Sequence, residues 1–598
     1  MTFNVYAASP SAPVDRADGR PQRAAIGDRM RVDVRHVDPV PAPRGSGVRL
    51  AVSERPAQGT RGSCVGLPDW QLLAGDDAAG ASLVQDGRAM SLLRRAASFV
   101  LGIAASACAP PHPPSGPEPA RPPAAPVPAA PAVRPEPRTV QSYVRVATPR
   151  VVLAHVRVID GTGRAPLDDR NVVIERGKIT AIEPGVDVAA AADLTVLDLH
   201  GASVLPGLVG MHNHLYYIGR PNYDEEWRSE PPLVMPQMMF SAPRLYLAAG
   251  VTTMRTTGSV EPYADLNLKR DIDAGKLIGP HLDVTGPYLE GATSPFIQMH
   301  HLSGPEEARQ FVNYWADRGV TSFKAYMNIT RAELKAAIDA AHKRGLKVTG
   351  HLCAVTYDEA ADLGIDDLEH GFFVNTQLDP GKQPDVCPPT TGEPTLARMA
   401  PGSPEATALI AKLVKRHVAI TSTLPVFESR VPGRPPLRQQ ALDVMTAEAR
   451  QAYLYARQRP ASLPPRATDP AVMLKRDMAL ERAFVAAGGL LIAGPDPTGN
   501  GGVVPGFGDQ RGIELLVEAG FSPVEAIRIA TLNGATYLGR QDRIGSIAVG
   551  KNADLVVVKG DPASRITDIE QVEIVFKDGV GYDAPKLLES VRQRYGQY

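Results

Sequence analysis

Polar and apolar residues alternate in short runs at two separated places in the chain. Three such runs follow Tyr143, VRVATPRVVLAHVRVIDG, NVVIERGKITAIEPG and LTVLDLHGASVLPG, and two more, IGSIAVGKNADLVVVKGDP and VEIVFKDGVGY, lie near the other end. Runs of this length, rich in Val and Ile and divided by Gly, Asp and Pro, predict strands of an antiparallel sheet. We therefore predict one small β-sandwich domain built from both flanks, residues 141–204 and 543–585.

Between these flanks, apolar runs alternate with helical patterns. Eight runs predict strands, at 204–211, 251–255, 282–286, 320–326, 346–351, 366–370, 417–421 and 490–494. Three helix starts carry a Ser/Thr-x-x-Glu capping box, namely Thr330 with Glu333, Thr356 with Glu359 and Ser522 with Glu525. Eight strands that alternate with helices favour an α/β fold of the (β/α)8 TIM-barrel type over residues 205–542. Such a barrel has its active site at the C-terminal ends of its strands.

The start of the chain has a different character. Residues 1–89 are rich in Arg, Pro, Ala, Asp and Gly and show no sustained apolar period of 2 residues, as in a strand, or of 3.6, as in a helix. This pattern predicts disorder. Residues 90–108, MSLLRRAASFVLGIAASAC, join a methionine, a basic pair and an apolar run that ends on small residues, as a secretory signal does. Its end resembles a bacterial lipobox, in which Cys108 is lipidated. We interpret Met90 as the true start of the protein and residues 1–89 as an over-extended gene prediction. The alternative for residues 90–108 is a short buried helix with a chance cysteine.

A Pro/Ala-rich linker follows at residues 109–140. Proline at this density prevents helix and sheet and predicts a semi-rigid polyproline spacer, suited to holding a domain away from a membrane surface. We therefore expect an exported protein of a bacterium, periplasmic or tethered to the membrane through an N-terminal lipid.

Charge and cysteine content narrow the chemistry. Among 598 residues, 64 Lys and Arg balance 65 Asp and Glu, so nothing electrostatic points to a nucleic-acid partner. The expected partner is a small molecule or short peptide. Four cysteines without a CxxC pair do not predict a disulfide framework or a structural zinc site, so a metal would be held by His and carboxylate. The sequence leaves the oligomeric state open, a homo-oligomer included.

Unusual polar residues fall at the ends of the predicted strands. They are His212, His214, Lys324, His351, His370 and Asp496. Residues i and i+2 of a strand share a face, so the two histidines of HNH can grip one metal ion. Taken singly, each has a simpler explanation, such as a hydrogen-bonded core histidine or a solvated lysine. Six of them at one end of one predicted barrel indicate a metal site.

At this point the sequence resembles the amidohydrolase superfamily, in its imidazolonepropionase-related and prolidase-like binuclear branch. The resemblance covers nearly all of 145–582 and rests on VLPGLVGMHNHL, FKAYMN, VTGHL, DDLEHG, AGPDPTGNGG, SPVEAIRIATLNGATYLG and IGSIAVGKNADLVVVKGDP. It implies two divalent metal ions, zinc being expected. One would be held by His212, His214 and Asp496 and the other by His351 and His370. Lys324 would bridge them as a carbamate formed with CO2.

The resemblance also implies a reaction. Mononuclear deaminases of the superfamily carry Glu three residues after the strand-five histidine, where this chain has Ala354. With Lys324 present, this points to a binuclear hydrolase in which a metal-bridging hydroxide attacks a carbonyl and Asp496 carries the proton. We expect cleavage of a C–N amide bond of dipeptides or N-acyl amino acids. A cyclic amide, lactone or phosphoester substrate stays open, as does a lipid-anchored metal- or ligand-binding protein without turnover.

Two further sets of residues are candidates. Substrate contacts are expected from barrel-end loops, with packing or solvation as the alternative for each: Tyr217, Arg255, Tyr288, His301 and Tyr326. Cys353 and Cys387 could pair in a disulfide if the protein is exported, or stay as two free thiols.

Overall fold

In a computed structural model, the protein is described over residues 138–189, 191–216, 235, 237–296, 299–462, 468–497 and 502–597. The predictions for 1–89, for 90–108 with Cys108, and for 109–137 lie outside these residues. Within them, no helix has the length and apolar character needed to cross a membrane.

The described strands are numbered in chain order. They are β1 Val144–Val146, β2 Arg150–Val158, β3 Leu167–Glu175, β4 Lys178–Pro184, β5 Leu194–Asp198, β6 Ala202–Pro206, β7 Leu208–Asn213, β8 Val251–Thr256, β9 His281–Val284, β10 Glu290–Gly291, β11 His301–Leu302, β12 Ser322–Ala325, β13 Lys347–Gly350, β14 Asp367–Glu369, β15 Ala419–Ser422, β16 Leu491–Ala493, β17 Leu555–Lys559, β18 Val572–Lys577 and β19 Val580–Asp583.

The described α-helices are numbered in the same way. They are α1 Arg138–Gln141, α2 Met238–Ala248, α3 Pro262–Asp273, α4 Pro305–Ala316, α5 Arg331–His342, α6 Tyr357–Leu363, α7 Glu393–Arg398, α8 Pro404–Lys415, α9 Leu424–Glu428, α10 Gln439–Val444, α11 Ala447–Ser462, α12 Pro470–Ala486, α13 Phe507–Glu518, α14 Pro523–Arg528, α15 Gly534–Tyr537 and α16 Ala584–Ser590. All three predicted capping boxes are confirmed, at the starts of α5, α6 and α14.

The two β-rich flanks share one sheet. Its nine strands run in the order β1-β19-β18-β17-β6-β2-β3-β4, with β5 beside β2. Across the flanks, β17 and β6 pair antiparallel with Val557 opposite Val204. Val204 and Val557 are fully buried in a separate apolar core with Leu153 and Phe576. The sandwich and the limits 141–204, 543–585 and 205–542 stay predictions.

The eight predicted strands of the middle segment are all present, and neighbouring ones pair parallel in two groups, β7-β8-β9 and β12-β13-β14-β15-β16. The groups are connected at both ends. Thr285, just after β9, bridges Ser322 of β12 in parallel, and Asp496, just after β16, donates its N–H to the carbonyl of His212 in β7 at 3.0 Å. The α/β prediction is therefore confirmed.

One predicted strand is corrected. The apolar run 204–211 is divided at Gly207 between β6, which pairs with β17, and β7, which pairs with β8. Gly207 passes so close to β8 that a Cβ there would lie 2.0 Å from the Thr252 hydroxyl, and its N–H donates to the carbonyl of Asp554. Hydrophobicity cannot reveal this change of sheet because both strands are buried.

Candidate metal centre

The carboxylate of Asp496 is the meeting point of three imidazoles. Its Oδ1 lies 3.3 Å from His212 Nε2 and 3.2 Å from His214 Nε2, and its Oδ2 lies 3.7 Å from His370 Nδ1. All four side chains are buried. Ligand atoms of His212, His370 and Asp496 lie within 4.8 Å of one another, which is a grouping that can hold a metal ion.

Lys324 and His351 complete the predicted set. The Lys324 ammonium nitrogen lies 3.1 Å from His212 Nε2, and the His351 ring centroid lies 4.4 Å from that of His370. Because Lys324 is in β12 while His351 and His370 directly follow β13 and β14, parallel strands bring them to one edge. The structure thus brings all six predicted residues together.

Two of these residues have an uncommon backbone. His370 has φ of 72° and Asp496 has φ of 55°, in the left-handed region that few non-glycine residues adopt. Two residues before Asp496, Gly494 approaches β7 so closely that a Cβ would lie 2.2 Å from the His212 backbone nitrogen. Such conformations persist where the surroundings fix them, and they cluster at functional sites.

Side chains beneath the centre orient two of the imidazoles. The Glu369 carboxylate lies 2.6 Å from His212 Nδ1, and the Thr423 hydroxyl lies 2.9 Å from His370 Nδ1. A carboxylate only accepts, so Nδ1 of His212 donates, and in the neutral ring it is Nε2 that carries the lone pair that a metal requires.

Burial sets the protonation of the other imidazoles. It lowers the pKa of His214 to about 4 and that of His351 to about 3, and it holds the pKa of His370 well below the ordinary value. Neutral imidazole is the form that binds metal, so these three side chains are ready to do so at neutral pH.

Charges modify the rest of the centre. Burial and Lys324 act to lower the pKa of His212, but Asp496 and Glu369 outweigh them and raise it. Burial lowers the pKa of Lys324. Burial acts to raise the pKa of Asp496, but the histidines around it, His212 first, hold it well below its usual range.

The buried donors fit a metal. Nε2 of His370 and Oδ1 of Asp496 make no hydrogen bond to the described part of the protein, although both atoms are inaccessible to solvent. Burying such atoms without a partner costs free energy, which a bound cation would recover. Imidazole nitrogen and carboxylate oxygen are donors that zinc and similar divalent ions accept.

Arg255 lies in the predicted strand 251–255 and not in a barrel-end loop, where substrate contacts are expected. It belongs to β8 and is 1% exposed. Its Nε donates to the carbonyl of Met211 at 2.8 Å, and its Nη2 donates to Asp367 and Glu369, also at 2.8 Å. This guanidinium therefore supports the carboxylate that orients His212.

The other predicted contacts are placed differently from one another. The rings of Tyr288 and Tyr326 are 4.9 Å apart, and the Tyr326 ring is 4.9 Å from that of His351, so both tyrosines border the centre. His301 lies in β11 with Nε2 3.0 Å from the carbonyl of Phe296. Tyr217 lies outside the described residues. Substrate contact stays a prediction for all four.

Cys353 and Cys387 form a disulfide with Cα atoms 4.8 Å apart. Of the two alternatives for these cysteines, the structure has the pair. The bond ties the segment just after His351 to the loop that follows β14.

The sequence patterns missed Glu369, Asp367 and Thr423, which contact the predicted residues. The signal for Glu369 was present in the DLEH motif, as a charge within a buried strand next to His370. A charged side chain with zero exposure requires a partner, and here the partners are His212 and Arg255.

Comparison with known families decides the relationship. The model of the amidohydrolase family matches residues 203–449 and 478–580. The chain belongs to this family. The matched residues contain all six residues of the candidate metal centre, together with strand β17 of the second β-rich flank. The expected family is therefore confirmed.

Individual relatives of the amidohydrolase match less of the chain. An imidazolonepropionase of Clostridium tetani is 34% identical over 117 residues, 18% of this chain and 26% of the relative. An allantoinase of Streptomyces avermitilis is 29% identical over 185 residues, 30% of this chain and 34% of the relative. The chain thus spans about a quarter to a third of these curated relatives.

A solved structure matches more extensively. A Xaa-Pro dipeptidase with bound methionine in its active site is similar with a TM-score of 0.54 and 20% identity. The match covers 73% of this chain and 100% of the dipeptidase. At this identity the similarity shows a shared fold.

Proposed function

We propose that this amidohydrolase is a binuclear metal-dependent enzyme that cleaves the C–N amide bond of dipeptides or N-acyl amino acids. The observation that carries the proposal is the Asp496 carboxylate, approached within 3.7 Å by three imidazoles. Membership of the amidohydrolase family supports hydrolysis of a C–N bond.

Two divalent ions fit the six donors, zinc being the natural choice for imidazole and carboxylate. We assign His212, His214 and Asp496 to one ion and His351 and His370 to the other. When bound, the ions would lower the pKa of water and polarise the substrate carbonyl. Lys324 has its pKa lowered by burial, which favours the neutral amine that adds CO2 to form a carbamate.

Asp496 is proposed to move the proton. Hydrolysis forms a C–O bond from water to the acyl carbon and breaks the C–N bond, so one proton must leave the water and one must reach the amine. The Asp496 carboxylate can only accept until it is protonated, and its Oδ1 has no hydrogen bond to the described residues. It can therefore accept the proton of the water and pass it to the leaving nitrogen.

The proposed substrate class has two supports. The dipeptidase that shares this fold is named for Xaa-Pro peptides. Tyr326, 4.9 Å from the ring of His351, and Tyr288 beside it would hold hydroxyls near the carbonyl oxygen of an amide bound there.

The finer architecture belongs to the same proposal. We propose that the eight parallel strands close into a (β/α)8 barrel, supported by the Thr285–Ser322 bridge and the Asp496-to-His212 hydrogen bond. The nine-stranded sheet would form the β-sandwich. Export and lipidation at Cys108 are proposed on the sequence alone, and N-terminal analysis of protein from its native host tests them; an intact 1–89 segment would contradict them.

The test is a screen of the zinc-loaded full chain against dipeptides and N-acyl amino acids. We expect hydrolysis that Asp496→Asn lowers by about 10³-fold while much of the metal is retained, and that the exposed control Asp542→Asn leaves unchanged. Hydrolysis of cyclic amides, lactones or phosphoesters alone would refute the substrate class. Metal binding without turnover of any of them would indicate a binding protein.

A further inference from the structure

Arg430 lies beside an aromatic wall of the metal centre, formed by the stacked rings of Phe373 and Phe427. Phe427 in α9 packs its ring 5.8 Å from that of His370, and Phe373 stacks on Phe427 at 3.6 Å with the rings nearly parallel. The guanidinium carbon of Arg430 lies 4.7 Å from the Phe427 ring centroid. Phe427 is buried, whereas Arg430 is exposed, so the arginine lies at the solvent side of this wall.

Two of the cations discussed here are arginines near the histidines of the centre. Arg255 is buried and is bound by Asp367 and Glu369. Among the cations discussed here, Arg430 is therefore the one on the solvent side.

Guanidinium and carboxylate match in geometry, because the planar fork of an arginine can donate two parallel hydrogen bonds to a carboxylate. An amino acid released from an amide carries its α-carboxylate close to the scissile nitrogen. A substrate with its carbonyl at His351 and His370 and its leaving amino acid packed on Phe427 would bring this carboxylate toward Arg430, which lies on the same ring.

We propose that Arg430 is a specificity-determining residue that binds the α-carboxylate of the leaving amino acid. The substrate class is then an N-acyl or N-aminoacyl amino acid with a free carboxylate and an apolar side chain packed on Phe373 and Phe427. This inference rests on the proposed hydrolase function and adds the group that the enzyme recognises.

The tyrosines beside His351 take the acyl portion. Tyr326 packs against Tyr288 at 4.9 Å and against Phe296 at 5.7 Å, and its ring lies 4.9 Å from that of His351. The centre thus has one aromatic group beside His351 and another beside His370, with the arginine next to Phe427. This asymmetry gives the substrate one direction.

The test uses pairs of substrates that differ in one group. Each N-acetyl amino acid of an apolar panel is compared with its C-terminal carboxamide, in which the carboxylate is replaced by a neutral group of similar shape. For the zinc-loaded full chain we expect kcat/KM to be about 100-fold higher for the acids, as the loss of a charge-assisted hydrogen-bonded pair predicts. The measured reaction is release of acetate.

Variants of Arg430 separate recognition from folding. Arg430→Gln should lower kcat/KM by about 100-fold for the acids, mainly through KM, and change it less than 3-fold for the carboxamides. Arg430→Lys should recover part of the loss. The matched control Arg270→Gln, an exposed arginine of α3, should change neither, and the zinc content of all variants should equal that of the parent protein.

The outcomes distinguish the two proposals. Equal turnover of acids and carboxamides, unchanged in Arg430→Gln, would overturn the role of Arg430 and leave the hydrolase function standing. An equal loss for both substrate types in Arg430→Gln would also overturn it, because that pattern indicates a structural role. No hydrolysis of any pair or of any dipeptide by the parent protein would overturn both proposals.

Discussion

His212 and Glu369 form a buried pair beneath the metal centre, with Nδ1 of the imidazole 2.6 Å from Oε2 of the carboxylate and neither side chain exposed. Glu369 also accepts from Arg255 Nη2 and from the hydroxyl of Thr349, at 2.8 Å and 2.6 Å. Burial acts to raise the pKa of Glu369, but His212 and Arg255 outweigh burial and hold this pKa well below its usual range. An ionised Glu369 fixes the tautomer of His212 and makes the imidazole a stronger ligand.

Replacing Glu369 by Gln should weaken metal binding. The amide keeps the shape but loses the charge that makes His212 more basic, so we expect zinc affinity to fall about 10- to 100-fold. Competition with a chromophoric chelator measures the affinity, and the exposed Glu448→Gln serves as the control. Unchanged affinity in Glu369→Gln would show that this pair does not support the centre.

Removing Arg255 should destabilise the whole protein. Arg255→Met leaves the carboxylates of Asp367 and Glu369 buried without their cation, and breaking a buried ion pair from one side costs about 3–5 kcal/mol. Urea unfolding of metal-free protein measures the loss. The exposed Arg270→Met should change the free energy of unfolding by no more than about 0.5 kcal/mol. Equal effects of the two substitutions would contradict the interpretation.

Glu369 and Arg255 also show which part of the site could not be predicted from the sequence. The six residues of the candidate metal centre could be predicted from the sequence because they lie at the ends of predicted strands, and parallel strands carry their C-terminal residues to one edge. They are His212, His214, Lys324, His351, His370 and Asp496. The partners Glu369 and Arg255 do not follow, because alternation along a strand gives a face but not which distant strand supplies the counter-charge. From the sequence, Arg255 is accordingly expected to contact substrate instead of these carboxylates.

Two other features show the same limit. Gly207 lies within one apolar run, and only the pairing of β6 with β17 and of β7 with β8 reveals that the chain changes sheets there. Arg430 lies just after α9 and three residues from Phe427, so the contact between them is local. The contact of Phe427 with His370, which brings this pair to the centre, depends on tertiary packing that no periodicity indicates.

Asp265 should make stability depend on pH. It is buried in the first turn of α3, and burial raises its pKa from 3.8 to about 7, although the Ser259 and Thr256 hydroxyls lower it. The folded protein keeps a proton that the unfolded chain loses above pH 3.8. The stabilising contribution of this group is therefore complete below pH 3.8 and lost as the pH rises toward 7.

Asp265→Asn should remove that dependence. Between pH 5 and pH 7, the parent protein should lose up to about 1.4 kcal/mol per pH unit relative to the variant. Urea unfolding of both proteins in chelator, at pH 5, 6, 7 and 8, measures the difference. Parallel stability curves for the two proteins would show that Asp265 is ionised in the folded state.

Reduction of the disulfide should lower stability. The disulfide joins Cys353 and Cys387, which are 34 residues apart in the sequence. Because a crosslink over a loop of this length restricts the unfolded chain, it should raise the free energy of unfolding by about 3–4 kcal/mol. Cys353→Ser with Cys387→Ser should lower the melting temperature and abolish the effect of dithiothreitol on it. If dithiothreitol lowers the melting temperature of the double variant equally, the thiol reagent acts elsewhere.

Anomalous diffraction from crystals of the zinc-loaded protein, grown in bicarbonate, tests the central claim most directly. We expect two anomalous peaks at the zinc edge, one bound by His212, His214 and Asp496 and the other by His351 and His370. Density for a carbamate at Lys324 should connect them. Peaks away from these residues, or none at zinc concentrations that support activity, would contradict the assignment of the metal centre.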